Sequence, residues 1–242
     1  DTDVSRAFAG ISAINVGGLQ VRGNRINDFF LYGVLASGSS GFDVSQNEIF
    51  DSTHTISGYG ISATGDLANA APEQGGTIIG NKIRNIKGWD GIMTHEVTNL
   101  VVSGNVIENC RNGVDIGAFS SANTLSRIVV SGNVISLTTV NTWGAAAGAH
   151  FGMQISGVSG NPLTGVAVTG NVIHQWGSLP DSTVAGAGNS APIALVYIND
   201  LAVAGNVISS VGSCTAFSRL GIYLVGALNR IAITGNTVSG NV

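Results

Sequence analysis

One short phrase recurs eight times along this chain of 242 residues, and it constrains the fold more than any other feature. The phrase is an apolar–variable–apolar triplet, a small residue and usually a glycine, then Asn and a further apolar residue. Its copies read LQVRGNRI, FDVSQNEI, TIIGNKI, LVVSGNVI, IVVSGNVI, VAVTGNVI, LAVAGNVI and IAITGNTV. The repeated asparagines are Asn24, Asn47, Asn81, Asn105, Asn133, Asn171, Asn206 and Asn236, at intervals of 23 to 38 residues. Such self-similarity is the signature of architectures whose stacked repeats bury one continuous core.

A second phrase lies between successive copies of the first. It reads YGVLAS, YGISAT, DGIMTH, NGVDIG, FGMQIS, PIALVY and LGIYLV, and the segment before it varies most in length. Short apolar triplets, β-branched residues and variable loops predict a solenoid of parallel strands with three short strands per turn. We expect the repeated Asn to adopt a left-handed backbone at a tight bend. Stacked asparagine side chains can also bond one another and form a ladder.

These repeats resemble the right-handed parallel β-helix of the pectate-lyase-like superfamily, with its PbH1-type repeats, over all eight copies. In that superfamily an Asn ladder marks the bend between the second and third strands of each turn. The resemblance implies that the Asn phrase forms strands two and three and that the second phrase forms strand one. We therefore expect an all-β, single-stranded right-handed parallel β-helix of about eight turns. Residues 1–242 should form one domain, a fragment of a longer chain.

Composition excludes several functional classes. Charged residues make up only 10% of the chain and the net charge is −4, whereas nucleic-acid binding through phosphates needs an excess of Lys and Arg. No apolar run approaches the ~20 residues that span a bilayer, so we expect no membrane insertion. Cys110 and Cys214 should lie about 14 Å apart on the solenoid, beyond the ~7 Å limit for a disulfide. We expect two free thiols.

The loops that precede strand one carry most of the aromatic residues. Among the residues in these loops are Trp89, Trp143, Trp176, Phe29, Phe30, Tyr32, Tyr59, Phe151, Phe217, His54, His150 and His174. Equivalent loops of a solenoid stack on one edge, and aromatic-lined concave surfaces are typical of ligand sites. This pattern predicts a glycan-binding groove beside strand one. In the alternative interpretation, the rings cover the core beneath long loops.

Strand one also carries the densest group of ionisable residues. Alternation with period two directs one residue per turn outward, in the row Ser62, Met93, Asp115, Gln154 and Tyr223. His95, two positions after Met93, also faces outward, and Asp115 lies diagonally one turn above it. Their side chains should be close enough to meet, with Gly117 leaving space beside the imidazole.

From this cluster we derive two sets of candidate residues. The candidate catalytic residues are His95, Asp115, Asp90, Glu96 and Arg111. The candidate substrate-binding residues are Lys87, Trp89, Gln154, Trp143, Trp176 and Tyr223.

A local resemblance covers part of the same strand. Residues 93–100, MTHEVTNL, are similar to the DPHE-x-T-x-N-L region of mannuronan C5-epimerases. The resemblance implies a catalytic role for His95, with Glu96 completing the His-Glu pair. In that family an Asp two residues before the His assists it, and Met93 stands at that position here. This departure argues against epimerase or alginate-lyase activity.

Three hypotheses for the cluster stay open. His95 could act as acid or base, helped by Asp115 and by Arg111 or Lys87, on an acidic polysaccharide. Asp90 and Asp115, with Glu96, could instead be the carboxylates of a glycosidase. The cluster could also be structural, or bind a sugar without cleaving it. No cofactor is expected, although Ca²⁺ at Asp90 or Asp115 would follow the resemblance to pectate lyases.

The sequence as a whole predicts an extracellular protein that processes polysaccharide, either a lyase or a glycoside hydrolase. The alternative is a non-catalytic glycan- or receptor-binding β-helix, such as a fragment of a phage tailspike or an adhesin. The protein would then be secreted or lie on a virion surface. Solenoids need covered ends, so a homotrimer or flanking domains are expected partners.

Overall fold

The computed structural model describes residues 8–52, 58–65, 73–86, 88–118, 125–136, 151–174, 191–211, 221–226 and 228–240. Strands in the first three turns are β1 (Ala9–Ile14), β2 (Gln20–Arg22), β3 (Arg25–Asn27), β4 (Tyr32–Ser37), β5 (Phe42–Ser45), β6 (Glu48–Phe50), β7 (Tyr59–Thr64), β8 (Glu73–Ile79) and β9 (Lys82–Arg84). The next three turns contain β10 (Asp90–His95), β11 (Val97–Ser103), β12 (Val106–Glu108), β13 (Asn112–Gly117), β14 (Ser126–Ser131), β15 (Val134–Ser136), β16 (Phe151–Ser156), β17 (Leu163–Thr169) and β18 (Val172–His174). The last two contain β19 (Ala191–Val196), β20 (Ile198–Ala204), β21 (Val207–Val211), β22 (Ile222–Val225), β23 (Asn229–Thr234) and β24 (Thr237–Gly240).

The strands form three parallel sheets of eight strands each, one strand per turn in every sheet. Sheet A contains β1, β4, β7, β10, β13, β16, β19 and β22. Sheet B contains β2, β5, β8, β11, β14, β17, β20 and β23, and the remaining strands form sheet C. This arrangement is the predicted parallel β-helix of eight turns. Its first strand, β1, has the sequence AGISAI, which is an eighth copy of the second phrase.

The core is a stack of aliphatic rows, because equivalent positions in successive turns face the same interior. Sheet C contributes a row of isoleucines that includes Ile49, Ile83 and Ile107, all of them fully buried. The glycine of the second phrase faces this row. A Cβ at Gly91 would lie 2.6 Å from the Cγ2 atom of Ile107 and 2.9 Å from the carbonyl oxygen of Gly113. A side chain at Gly91 would therefore clash with the third strand and with the neighbouring turn, although Pro192 occupies the equivalent position in β19.

The predicted Asn ladder is confirmed in every turn. The Nδ2 atom of Asn105 donates to Oδ1 of Asn133 at 2.9 Å, and the backbone N–H of Asn105 donates to the same oxygen at 3.0 Å. Asn105 Nδ2 also donates to the carbonyl of Ile78 at 2.9 Å. Equivalent bonds join Asn133 to Asn171 and continue along the rod. Both lone pairs and both N–H groups are thus used where water is excluded.

The backbone at this bend corrects one expectation. The left-handed residue is the one before the ladder asparagine, as with Gly104 (φ 64°) and Gly132 (φ 64°), and not the asparagine itself. In the second turn Gln46 occupies this position with φ 57°. Glycine dominates the position because it adopts positive φ without a Cβ penalty.

Two further expectations concern thiols and membranes. Cys110 is a free, buried cysteine, and Cys214 lies outside the described residues. Burial raises the pKa of the Cys110 thiol to about 12. The described residues include no helix long and apolar enough to cross a membrane.

Candidate functional site

The outer face of sheet A carries the candidate cluster. In strands β4 and β16 of sheet A, the first residue faces outward, and the glycine and the aliphatic residue that follow it both face inward. The remaining residues of these strands alternate between outward and inward. Register places Met93 beside Ser62 on one side and beside Asp115 on the other. Gln154 follows Asp115 in the next turn. These residues are therefore aligned in one row along sheet A, which Ala194 continues to Tyr223, and Ser62 and Met93 in this row are buried.

His95 and Asp115 meet across two turns, as the sequence predicted. The Nε2 atom of His95 lies 3.3 Å from Oδ2 of Asp115. Gly117 pairs with His95 in the ladder, and a Cβ there would lie 3.2 Å from the imidazole Cδ2. The glycine thus leaves the space that the ring occupies. Because an imidazole hydrogen-bonded to a carboxylate is fixed in orientation, each side chain positions the other.

Asp90 is the first residue of β10 and is almost wholly buried on this face. The Nδ2 atom of Asn112 donates to Oδ1 of Asp90 at 2.7 Å, and Oδ1 of Asn112 accepts from the backbone N–H of Phe151 at 3.0 Å. Burial raises the pKa of Asp90 well above its ordinary value, and the charge of Asp115 raises it further. The Asn112 bond and the Arg111 charge lower the pKa in part. Asp90 is therefore held as a neutral acid well above the usual pH range of aspartate.

Arg111 is buried beside Asp90, and its guanidinium lies 4.3 Å from the centre of the Trp89 ring. Its Nε and Nη1 atoms have no hydrogen-bond partner. Desolvation lowers the pKa of Arg111, while Asp90 and Tyr59 raise it. Within the described residues no ion pair joins this guanidinium to a carboxylate. The cation–π contact with Trp89 is a favourable contact for this charge.

Tyr59 belongs to the same cluster, although the sequence placed it only among the aromatic loop residues. Desolvation raises its pKa to about 12, with further contributions from the charges of Asp90, Tyr32 and Asp115. Tyr59 begins its strand at the position that Asp90 and Asn112 occupy in the next two turns. That shared position, first in the second phrase, was the sequence signal that could have identified both Tyr59 and Asn112.

Some of the other candidate residues lie within the described residues, and others do not. Glu96 is buried at the bend between β10 and β11 with φ 59°, and its backbone N–H donates to the Gly117 carbonyl at 3.0 Å. Gln154 and Tyr223 lie half-buried on the outer face of sheet A, in later turns. The remaining candidates, Lys87, Trp143 and Trp176, lie outside the described residues, and so do His54, His150 and Phe217. The catalytic and binding roles of all these residues stay predictions.

The aromatic edge differs from the expectation in three ways. Phe29 is fully buried in the core and lines no groove. The Tyr32 and Tyr59 rings stack on each other, with centroids 5.5 Å apart and planes 14° apart, so that they cover each other's faces. His174 does not lie in a loop beside sheet A; it is the last residue of strand β18 in sheet C. Its Nδ1 atom lies 2.7 Å from Ser209 Oγ. Trp89, which is 37% exposed, is the aromatic side chain of the cluster most open to solvent.

Calcium does not fit the cluster as the structure arranges it. Asp90 accepts from an amide N–H and lies beside a guanidinium, whereas Ca²⁺ takes six to eight oxygen ligands. Across the described ranges, no group of three or more His, Cys, Asp or Glu side chains could hold a metal ion. We derive no chemical step through a metal.

This arrangement separates the two carboxyl groups chemically. Asp90 is buried and its pKa is raised, whereas Asp115 is partly exposed and bonded to His95. A buried carboxyl group with a raised pKa can serve as a proton donor. The cluster thus offers a proton donor and a second carboxyl group on the same face of the solenoid.

Comparison with protein families identifies the repeat. The family described as "Right handed beta helix region" matches residues 9–187. No curated protein matches the chain. The local resemblance to mannuronan C5-epimerases receives no support from these comparisons and stays a sequence-based expectation.

Solved structures share the architecture. The chain is similar to the tailspike protein of E. coli bacteriophage HK620 in complex with a pentasaccharide, at 16% identity and a TM-score of 0.61 over 96% of this chain and 40% of the tailspike. A double mutant of that tailspike, also with a pentasaccharide, gives 15% identity and a TM-score of 0.59 over 98% of this chain and 45% of the other. The Streptococcus pneumoniae surface protein and adhesin PfbA matches at 12% identity and a TM-score of 0.48 over 94% of this chain and 64% of its own. At these identities the similarity shows the fold alone, and the chain spans about two fifths of the tailspike.

Proposed function

Because the chain belongs to the right-handed β-helix family, we propose that it is an extracellular polysaccharide-processing protein, a glycoside hydrolase with its site on the outer face of sheet A. The observation that carries this proposal is the pair of unlike carboxyl groups, Asp90 and Asp115. Burial raises the pKa of Asp90 well above its ordinary value, and Asp115 is bonded to His95. Glycosidases use two carboxyl groups, one of which has a raised pKa and donates a proton.

Each residue of the cluster has a distinct task in this mechanism. Asp90 donates its proton to the glycosidic oxygen as the bond to the leaving sugar breaks. The Asp115 carboxylate faces the anomeric carbon or the water that attacks it, and His95 fixes the orientation of that carboxylate. Asn112 holds the Asp90 carboxyl in place through one hydrogen bond. A raised pKa is what allows an aspartic acid to donate a proton near neutral pH.

The choice of a glycan as substrate has a separate basis. Trp89 presents an exposed ring beside the carboxyl groups, and aromatic rings with a few polar groups are typical of ligand sites. Two solved β-helix structures with this fold contain a bound pentasaccharide. These facts support a polysaccharide partner and a location outside the cell or on a virion. A homotrimer and flanking domains stay predictions.

A panel of polysaccharides tests the proposal with two measurements on the same samples. Release of reducing ends reports both hydrolysis and elimination, whereas ultraviolet absorbance of an unsaturated sugar reports elimination alone. We expect reducing ends without new absorbance on at least one glycan. Equal signals in both measurements would contradict hydrolysis and favour a lyase that uses His95.

Non-catalytic glycan binding is the second candidate, and the exposed Trp89 ring favours it. In that case no glycan releases reducing ends, yet one binds. Truncating the indole in Trp89→Ala should then weaken binding about tenfold, since a stacked aromatic side chain contributes on the order of 1 kcal/mol. Asp115→Asn should leave that binding unchanged. Equal losses in both variants would contradict this second candidate.

A further inference from the structure

Buried polar atoms without a partner concentrate at the cluster. Among the described residues six buried side-chain nitrogen or oxygen atoms lack a hydrogen bond, and four of them belong to Ser62, Arg111 and Asp115. Ser62 and Asp115 flank Met93 in the outward row of sheet A, and Arg111 immediately precedes strand β13. Native proteins rarely leave such atoms unpaired. The concentration therefore marks a place where a ligand or ordered water completes the hydrogen bonds.

Arg111 is the residue of this set for which the lack of a hydrogen-bond partner is energetically most costly, because it is charged. The residue is 3% exposed, so its positive charge is removed from water. A buried charge is costly unless an opposite charge compensates it. Asp90 compensates this charge only in part, because burial raises the pKa of its carboxyl group, and Asp115 directs Oδ2 to His95. The aromatic face of Trp89 offsets only part of the cost.

We propose that Arg111 binds an anionic group of the glycan, so that the site takes an acidic sugar bearing a carboxylate or a sulfate. This inference rests on the proposed function, since it names the substrate class of the same site. The ligand anion accepts hydrogen bonds from Nε and Nη1 of Arg111, the two atoms that lack a partner in the free protein. Charge-assisted bonds of this kind are stronger than neutral ones.

Trp89 makes the inference observable without any catalytic activity. Its ring lies 4.3 Å from the guanidinium, so an anion that reaches Arg111 changes the electrostatic field at the indole. Tryptophan fluorescence should therefore change on binding of an acidic oligosaccharide. Trp89→Phe should lose that change while still binding the ligand.

The test compares matched oligosaccharides by calorimetry: a hexuronate oligomer, its carboxyl-reduced neutral counterpart, and a sulfated form of that neutral oligomer. If the wild type cleaves a ligand, the measurement uses the Asp90→Asn background. We expect an acidic oligomer to bind roughly 10- to 100-fold more tightly than the neutral one. Preference for the uronate or for the sulfated oligomer identifies which anion the site takes.

Variants at position 111 separate recognition from structure. Arg111→Gln should abolish the preference for the acidic oligomer over the neutral one, whereas Arg111→Lys should keep part of that preference. Arg127→Gln is the matched control, because Arg127 is an exposed arginine on sheet B. If Arg111→Gln does not fold, the inference is tested by the preference of the wild type for acidic over neutral oligomers and by the same preference in Arg111→Lys.

The inference is overturned if the wild type binds acidic and neutral oligomers equally, or if Arg111→Gln retains the preference. Cleavage of neutral glycans with no acidic preference would overturn the inference and leave the hydrolase proposal standing. Tight, Arg111-dependent binding of an acidic oligomer without cleavage of any glycan would overturn the hydrolase proposal alone.

Discussion

At the scale of single residues, each ladder asparagine holds two adjacent turns together. Asn133 is fully buried and donates from Nδ2 to Asn171 and to the carbonyl of Val102. Its own Oδ1 accepts two N–H groups of Asn105. Replacing the side chain leaves these partners unpaired in a space that water does not reach, and unpaired buried groups are costly.

We therefore predict that Asn133→Ala lowers the free energy of unfolding by about 1–3 kcal/mol. Chemical denaturation followed by circular dichroism measures the change. Asn229→Ala is the control, because Asn229 is exposed and donates to the half-buried Asn199. The stability of this variant should be close to that of the wild type. An unchanged stability of Asn133→Ala would contradict the structural role of the ladder.

The raised pKa of Asp90 makes stability depend on pH in a defined direction. Above the ordinary pKa of aspartate, ~3.9, the unfolded chain releases this proton while the folded chain keeps it. Because the folded state binds more protons than the unfolded state in this range, the free energy of unfolding decreases as pH rises. Asp90→Asn removes this dependence, because the amide does not titrate and has nearly the same shape.

The melting temperature of Asp90→Asn relative to the wild type should accordingly increase with pH, from the ordinary aspartate range up through the raised pKa of Asp90. Thermal unfolding at a series of pH values measures this difference. The exposed Asp200, paired with Arg230, supplies the control variant Asp200→Asn, which should lack that trend. A difference for Asp90→Asn that falls with rising pH would show that Asp90 is not held neutral.

At the scale of the strand, the second phrase is explained by the space between sheets A and C. Gly91 faces Ile107 and the sulfur of Cys110, whose Sγ atom would lie 3.3 Å from an added Cβ. Overpacking a full core costs about 1–3 kcal/mol. The repeated glycine is thus a packing requirement, whereas the glycine before the ladder asparagine is a requirement of backbone conformation.

Gly91→Ala should lower the free energy of unfolding by about 1–3 kcal/mol. Gly17→Ala is the matched control, since its new Cβ would meet only the Ser40 hydroxyl at 3.9 Å. Denaturant unfolding of both variants checks the prediction. Equal stability of the two variants would mean that strand one lies farther from sheet C than the structure shows.

Strand register also explains which part of the site was predictable. The glycine–aliphatic pair aligns DGIMTH with NGVDIG, so the contact of His95 with Asp115 follows from counting residues along these two copies of strand one. The roles of Asn112 and Tyr59 did not follow, because strict alternation fails at the start of the strand. Two consecutive inward residues there turn the first residue outward. In the sequence, this position is marked only by being the first of each copy of the second phrase.

At the scale of the whole molecule, the repeat made the architecture predictable and left the chemistry open. Three sheets of eight strands follow from eight Asn phrases, since stacking equivalent strands is how such repeats bury a core. Protonation states did not follow from the pattern. They depend on burial and on charges from neighbouring turns of the solenoid, as the pKa of Asp90 depends on the charge of Asp115. Solenoids concentrate function in a few turns because every turn has the same core.

The central claim is that Asp90 and Asp115 act together as an acid and a base on a glycan. The most direct measurement is the rate of reducing-end release on a cleaved glycan by the wild type, Asp90→Asn, Asp115→Asn and the control Asp200→Asn. We predict losses of roughly 10²- to 10⁴-fold for the first two variants, with folding intact and the control unchanged. Wild-type rates in Asp90→Asn or Asp115→Asn would contradict the claim and place the chemistry elsewhere.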